Sequence, residues 1–134
     1  MKRAFLFLTL VLALGIIQSC TETKAGEIQQ ITVQQMSEAL KDSSIQLVDV
    51  RTGQEFLEGH LKNSHNICVT DDDFAEKAAT LDKDKPVYVY CKKGGRSARA
   101  AEILKEMGFK KIYDLEGGIV LWEESGQETE KEQS

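Results

Sequence analysis

Cys91 opens the segment Cys91-Lys92-Lys93-Gly94-Gly95-Arg96-Ser97, directly after the apolar-rich run Pro86-Val87-Tyr88-Val89-Tyr90. A helical pattern follows at once, with Ala98, Ala101, Ile103, Leu104 and Met107 as its apolar positions. Strand, thiol, basic glycine-containing loop and helix N-terminus together have a chemical meaning. Gly94 and Gly95 let successive backbone N–H groups converge into a nest that holds an anion. The first turn of the helix adds partial positive charge. A thiol placed there, beside Lys92, Lys93 and Arg96, gives up its proton readily. The segment predicts a covalent cysteine nucleophile facing an anionic substrate.

The elements that must position this thiol alternate along the chain. Ile28 to Ile31 reads as a strand, and Thr32 with Gln35 forms a capping box for a helix through Val33, Met36, Ala39 and Leu40. Ile45 to Val50 is a strand, and Thr52 with Glu55 repeats the capping-box spacing for a short helix around Glu55 to Glu58. His65 to Val69 reads as a further strand, and Asp72-Asp73 start a helix reaching Ala79. Pro86 to Tyr90 is the strand before the nucleophile, and Gly108 ends the long helix that starts near Arg96. Ile112 to Leu115 is the last strand, and Gly117-Gly118 turn the chain into a final helix carrying Leu121 and Trp122. Five strands interleaved with helices imply an α/β domain, a mainly parallel sheet covered on both faces. In such sheets the ligand site lies beyond the carboxyl ends of the strands. Cys91 is at one such end and Asp49-Val50-Arg51 at another.

The N-terminal residues have a different character. Lys2-Arg3 precede an apolar run from Ala4 to Ile17, which is short for a membrane span and has the layout of a secretory signal. Ile17-Gln18-Ser19-Cys20 resembles a bacterial lipoprotein cleavage site, with Cys20 as the lipidated residue. Ordinary signal cleavage and an uncleaved anchor are the alternatives. The expected organisation is a signal over 1–19, a tether over 20–27, one domain over 28–124 and a disordered polar tail over 125–134. Loss of residues 1–19 removes Lys2 and Arg3 and no acidic residue, so the formal net charge of −5 becomes −7. An acidic chain of this kind excludes nucleic acid as the expected partner. With Cys20 set aside, only Cys68 and Cys91 remain, which is no disulfide framework. Two histidines, His60 and His65, and no CxxC pair give no metal-ligand pattern, and no cofactor is called for.

Three ordered segments resemble the rhodanese family. Leu47-Val48-Asp49-Val50-Arg51, Glu55-Phe56 and Gly59-His60-Leu61 resemble its first signature. Tyr88-Val89-Tyr90-Cys91 with Gly94, Arg96-Ser97 and Ala100 resembles its active-site segment. Gly108-Phe109, Leu115-Glu116-Gly117-Gly118 and Trp122 resemble its C-terminal segment. After His60 the chain departs from the family's Pro-Gly-Ala continuation, and Cys68 stands in place of a second proline. The resemblance implies a three-layer domain and a sulfurtransferase in which Cys91 carries sulfur as a persulfide. It implies an anionic donor such as thiosulfate and a thiophilic acceptor, cyanide or a thiol. The loop amides would stabilise the persulfide, and Arg96 with Lys92 or Lys93 would hold sulfonate oxygens. Asp49, Arg51 and His60 are supporting groups, His60 bracing its loop, with a general base as the alternative. Cys68 reads as a buried structural thiol, with a resolving thiol for Cys91 as the alternative.

Loop length separates related chemistries. Cysteine phosphatases sharing this fold place an arginine after five intervening residues, wide enough for phosphate. Here four residues separate Cys91 from Arg96, the phosphatase position is Ser97, and Tyr90 stands where those enzymes commonly have histidine. The tighter loop suits a sulfur atom bound to Cys91. The competing readings are a sulfur-carrier or redox partner module passing sulfur to a protein acceptor, and a non-catalytic interaction domain. The expected state is a lipid-anchored monomer in the cell envelope, facing the periplasm or the exterior.

Overall fold

A computed structural model describes residues 26–132. The signal segment, Cys20 and most of the tether lie outside the described residues. The elements in order are β1 (Glu27–Ile31), α1 (Val33–Ala39), β2 (Gln46–Asp49), α2 (Gly53–Glu58), β3 (His65–Asn66), α3 (Phe74–Ala78), β4 (Val87–Tyr90), α4 (Gly95–Glu106), β5 (Lys111–Leu115) and α5 (Gly118–Glu124). All pairings in the five-stranded sheet are parallel, in the order β1-β5-β4-β2-β3. β4, which delivers Cys91, is therefore central, between β2 and β5.

Side chains of a strand alternate between faces, and the two cores follow that alternation. Val48, Val87, Val89 and Ile112 pack with Phe74 and Ala78 of α3 and Ala100, Ala101 and Leu104 of α4. Leu47, Tyr90 and Leu115 pack with Met36 of α1 and Ile119 and Trp122 of α5. With helices over both faces, successive residues such as Leu47 and Val48 are alike buried. Both capping boxes form: Thr32 Oγ1 accepts from Gln35 N while Gln35 Oε1 accepts from Thr32 N, and Thr52 and Glu55 do the same.

Several boundaries differ from the sequence reading. β1 takes in Glu27, assigned above to the tether, whose carboxylate meets Lys111 Nζ at 2.7 Å. The strand expected over His65–Val69 is regular only at His65–Asn66, where the Asn66 side chain donates to the carbonyls of Asp49 (3.0 Å) and Arg51 (2.8 Å). Asp49 O also accepts Ile67 N at 3.0 Å, but Val69 N then goes to Val50 O at 3.1 Å, and the Asn66 side chain takes Arg51 O. The tail expected to be disordered is instead packed as far as Glu130. His60 and Glu130 exchange two backbone hydrogen bonds of 2.8 Å, and Trp122 Nε1 donates to Glu128 O at 2.9 Å. A buried indole N–H needs an acceptor, and the returning chain supplies it.

Candidate active site

The site is built where β4 ends. Cys91 is 1 % exposed and free, and its Sγ accepts the backbone N–H of Gly94 at 3.1 Å. Gly94 has φ 117°, a conformation that glycine adopts without Cβ strain, and this turns its N–H inward. Cys91 Sγ lies 3.5 Å from Ser97 Oγ, and the Ser97 hydroxyl donates to Gly94 O at 3.2 Å. Burial is the largest influence on the thiol and pushes it up. Hydrogen bonds from the Ser97 side chain and N–H, and from the Gly94 and Lys93 amides, outweigh burial, so Cys91 is held below its ordinary value. The N-terminus of the 12-residue α4 acts in the same direction.

The floor of the loop is fixed from α5. Ile119 N donates to Cys91 O at 2.9 Å and Val120 N to Lys92 O at 3.1 Å. Gly118, at φ 61°, permits that approach, because a Cβ there would lie 2.5 Å from both carbonyl oxygens. These helix N–H groups have no partner within their own first turn, and the loop carbonyls satisfy them.

Arg96 stands elsewhere than the sequence suggests. Its guanidinium is engaged by Glu55 in a two-pronged pair, Nη1 to Oε2 at 2.7 Å and Nη2 to Oε1 at 2.9 Å. The fork geometry matches a carboxylate well, so Glu55 occupies the face expected to meet sulfonate oxygens. The Arg96 contact, opposed by partial burial and joined by Thr52, brings the Glu55 carboxyl down to about 2. Lys92 and Lys93 remain as exposed cations of the loop. Lys92 borders a crevice of about 250 Å³ whose walls include Arg51, Glu55, Glu58 and Glu123.

Asp49 and Arg51 form a buried ion pair. Arg51 Nη2 meets Asp49 Oδ2 at 2.6 Å and donates to Gly59 O at 2.6 Å. The Tyr90 hydroxyl donates to Asp49 Oδ2 at 2.7 Å and accepts Leu61 N–H at 3.0 Å, with Ser64 Oγ at 3.1 Å. Burial, with Asp49 beside it, pushes the Tyr90 phenol up. The network ties the chain after α2 to the strand that carries Cys91. His60 braces that same segment: its ring stacks on Phe56 with centroids 3.9 Å apart, and Nδ1 meets Phe56 O at 2.9 Å. Cys68 is buried, free, and 3.1 Å from Thr70 Oγ1. The sequence marks Tyr90 only by its place before Cys91 and gives its hydroxyl no role, and nothing in the local pattern marks Ser64.

Comparison with known proteins decides the family. The model of the rhodanese-like domain matches residues 32–125. The chain belongs to the rhodanese-like domain family. A thiosulfate sulfurtransferase GlpE of Shewanella oneidensis is 33% identical over 100 residues, covering 75% of this chain and 97% of that protein. The putative sulfurtransferase YtwF of Bacillus subtilis is 37% identical over 98 residues, covering 72% of this chain and 92% of its own length. The crystal structure of a rhodanese-related protein from Thermoplasma volcanium superposes with a TM-score of 0.69 at 36% identity, covering 78% of this chain and 99% of that one. These relatives support a sulfurtransferase of the rhodanese type, and the rhodanese-like domain here brings Cys91, Gly94 and Ser97 together where β4 passes into α4.

Proposed function

We propose that this rhodanese-like domain moves sulfane sulfur from an anionic donor such as thiosulfate to a thiophilic acceptor, through a persulfide on Cys91. The observation that carries the reading is a nearly buried thiol ringed by Gly94 N–H and the Ser97 hydroxyl at a helix N-terminus. The Cys91 thiolate attacks the outer sulfur of thiosulfate. The new Sγ–S bond forms as the donor's S–S bond breaks, and sulfite leaves with that electron pair. The acceptor, cyanide or a thiolate, then attacks the outer persulfide sulfur and releases the Cys91 thiolate. Two displacements through a covalent intermediate predict ping-pong kinetics. Loop amides stabilise the charge on sulfur, and Lys92 and Lys93 draw the donor in.

Thiosulfate treatment followed by mass spectrometry tests this, with an expected gain on Cys91 of about 32 Da, one sulfur atom from the covalent step. Thiocyanate formation from thiosulfate and cyanide is the turnover assay, and Cys91→Ser abolishes both signals. Retained activity in that variant overturns the mechanism. A stable persulfide with negligible thiocyanate formation identifies a sulfur carrier for a protein acceptor instead.

The charged-then-apolar start and Cys20 support a lipid-anchored location in the cell envelope. Metabolic labelling with a fatty acid, lost in Cys20→Ala, is the expected result, and labelling that persists overturns it.

A further inference from the structure

The crevice beside the nucleophile loop carries charges of both signs that sulfur transfer to cyanide does not use. Arg51 walls it, with a side chain only 7% exposed. Its Nε and Nη2 are taken by the Asp49 carboxylate and Gly59 O, at 2.6–3.1 Å. Nη1 has no acceptor among the described residues. Among them Asp114 Oδ1 is the one fully buried side-chain polar atom without a partner, so Nη1 reaches open space, and the crevice supplies it. A guanidinium fixed by a carboxylate and a carbonyl, with one nitrogen left open, is a preorganised donor to a second carboxylate. Lys92, exposed and without an ion pair among the described residues, lies in the same walls.

Glu58 and Glu123 supply the opposite charge. Both wall the crevice and neither makes an ion pair among the described residues; each meets only a neutral donor at long range, Gln54 at 3.5 Å and Thr129 at 3.4 Å. Glu55, also in the walls, is already neutralised by Arg96. A simple anion drawn to Arg51 and Lys92 therefore meets two uncompensated carboxylates, whereas a zwitterion satisfies both poles. The volume, about 250 Å³, lies below the roughly 300–1,000 Å³ of pockets for drug-sized ligands and suits an amino acid. The crevice abuts the nucleophile: Lys92 follows Cys91, and Ile119, another wall residue, holds Cys91 O through its N–H.

We infer that the crevice seats an α-amino-acid thiol, free cysteine being the simplest, as the acceptor of sulfur, with its carboxylate on Arg51 Nη1 and Lys92 and its ammonium on Glu58 and Glu123. This rests on the proposed persulfide on Cys91. The acceptor thiolate attacks the outer persulfide sulfur. A new S–S bond forms as the bond from Cys91 Sγ breaks, and the electron pair returns to Cys91 as thiolate. The persulfide proton leaves with the transferred sulfur, so the product is the amino-acid persulfide and no oxidant is consumed.

Four acceptors test this on the persulfidated protein: cysteine, 3-mercaptopropionate without the ammonium, cysteamine without the carboxylate, and 2-mercaptoethanol with neither. Loss of sulfur from the Cys91 peptide is followed by mass spectrometry and expressed per thiolate. Cysteine is expected to react about tenfold faster than cysteamine and about threefold faster than 3-mercaptopropionate, the exposed carboxylates contributing less than the buried guanidinium. The double variant Glu58→Gln, Glu123→Gln is expected to bring the cysteine to 3-mercaptopropionate ratio to about one, and Lys92→Met to lower the cysteine to cysteamine ratio about threefold. Equal rates for the four acceptors, or ratios unchanged in both variants, overturn the inference. Binding is read apart from transfer in Cys91→Ser, where cysteine is expected to shift the Arg51 Nε–H signal in nuclear magnetic resonance and cysteamine is not. No shift with cysteine also overturns it. Where thiosulfate yields no persulfide, the sulfur-transfer reading fails, and the titration of Cys91→Ser still decides what the crevice binds.

Discussion

Gly118→Ala is the sharpest test of how the nucleophile loop is held. A Cβ at this position would lie 2.5 Å from Cys91 O, 2.5 Å from Lys92 O and 2.6 Å from Lys92 C. Ordinary carbon contacts begin near 3.5 Å, so the loop backbone must retreat by about 1 Å. Backbone cannot swing aside as a flexible side chain can. The retreat removes the bonds from Ile119 N to Cys91 O and from Val120 N to Lys92 O. Each is worth about 1 kcal/mol, and an alanine at φ 61° adds about 1–2 kcal/mol of backbone strain. The expected loss is about 3–4 kcal/mol, a large share of a typical domain's stability. Urea unfolding at constant slope measures it as a lower midpoint, and Cys91 alkylation is expected to slow as its amide cradle shifts. Gly95→Ala is the control. It opens α4 at an ordinary φ with nothing within 4 Å of its Cβ, and its stability should change by less than about 1 kcal/mol. Equal midpoints for the two variants, with equal alkylation rates, refute the argument.

Glu55→Gln tests the pair that occupies Arg96. The Glu55 value falls from 4.5 to about 2 on folding, so its contribution is fully present above pH 4.5 and is lost as pH falls toward 2. With side chains 31% and 27% exposed, solvent screening reduces the contribution to about 1–2 kcal/mol. The variant should be less stable by that amount at pH 7 and show a shallower acid loss by circular dichroism; an unchanged slope is contrary evidence. Tyr90→Phe leaves the buried Leu61 N–H without its acceptor, while Asp49 Oδ2 keeps Arg51, a loss of about 1–3 kcal/mol in denaturant unfolding, and a change under about 0.5 kcal/mol counts against the network. Deletion of residues 127–134 removes the acceptor of Trp122 Nε1 and the His60–Glu130 bonds, and a loss of about 1–2 kcal/mol in thermal unfolding is expected. An unchanged Tm shows that the packed tail contributes nothing.

Much of the fold is legible in local patterns. The Thr32–Gln35 and Thr52–Glu55 boxes start their helices as the spacing implies, and the residues from Val87 to Tyr90 form the strand that ends at Cys91. A cap, a turn and an apolar period each report on backbone within a few residues, so sequence suffices for them. The errors have a common origin. Glu55 reads as a capping residue, and it is one, yet it also takes the guanidinium of Arg96, 41 positions away. The polar tail reads as unstructured, because nothing local says that His60 and the Trp122 indole need its backbone.

The sequence by itself determined that Cys91 ends a strand and opens a basic glycine loop with a helix behind it, since these are contiguous between Cys91 and Glu106. Tertiary structure alone decided which groups surround that thiol. The strand order β1-β5-β4-β2-β3 puts β2 and β5 on either side of β4. That order brings Asp49 to the Tyr90 hydroxyl at 2.7 Å. Gly118 reaches the loop because α5 follows directly on β5, the strand next to β4. Pairings between distant segments depend on which strands are neighbours, and the packing of both sheet faces settles that, not any local motif.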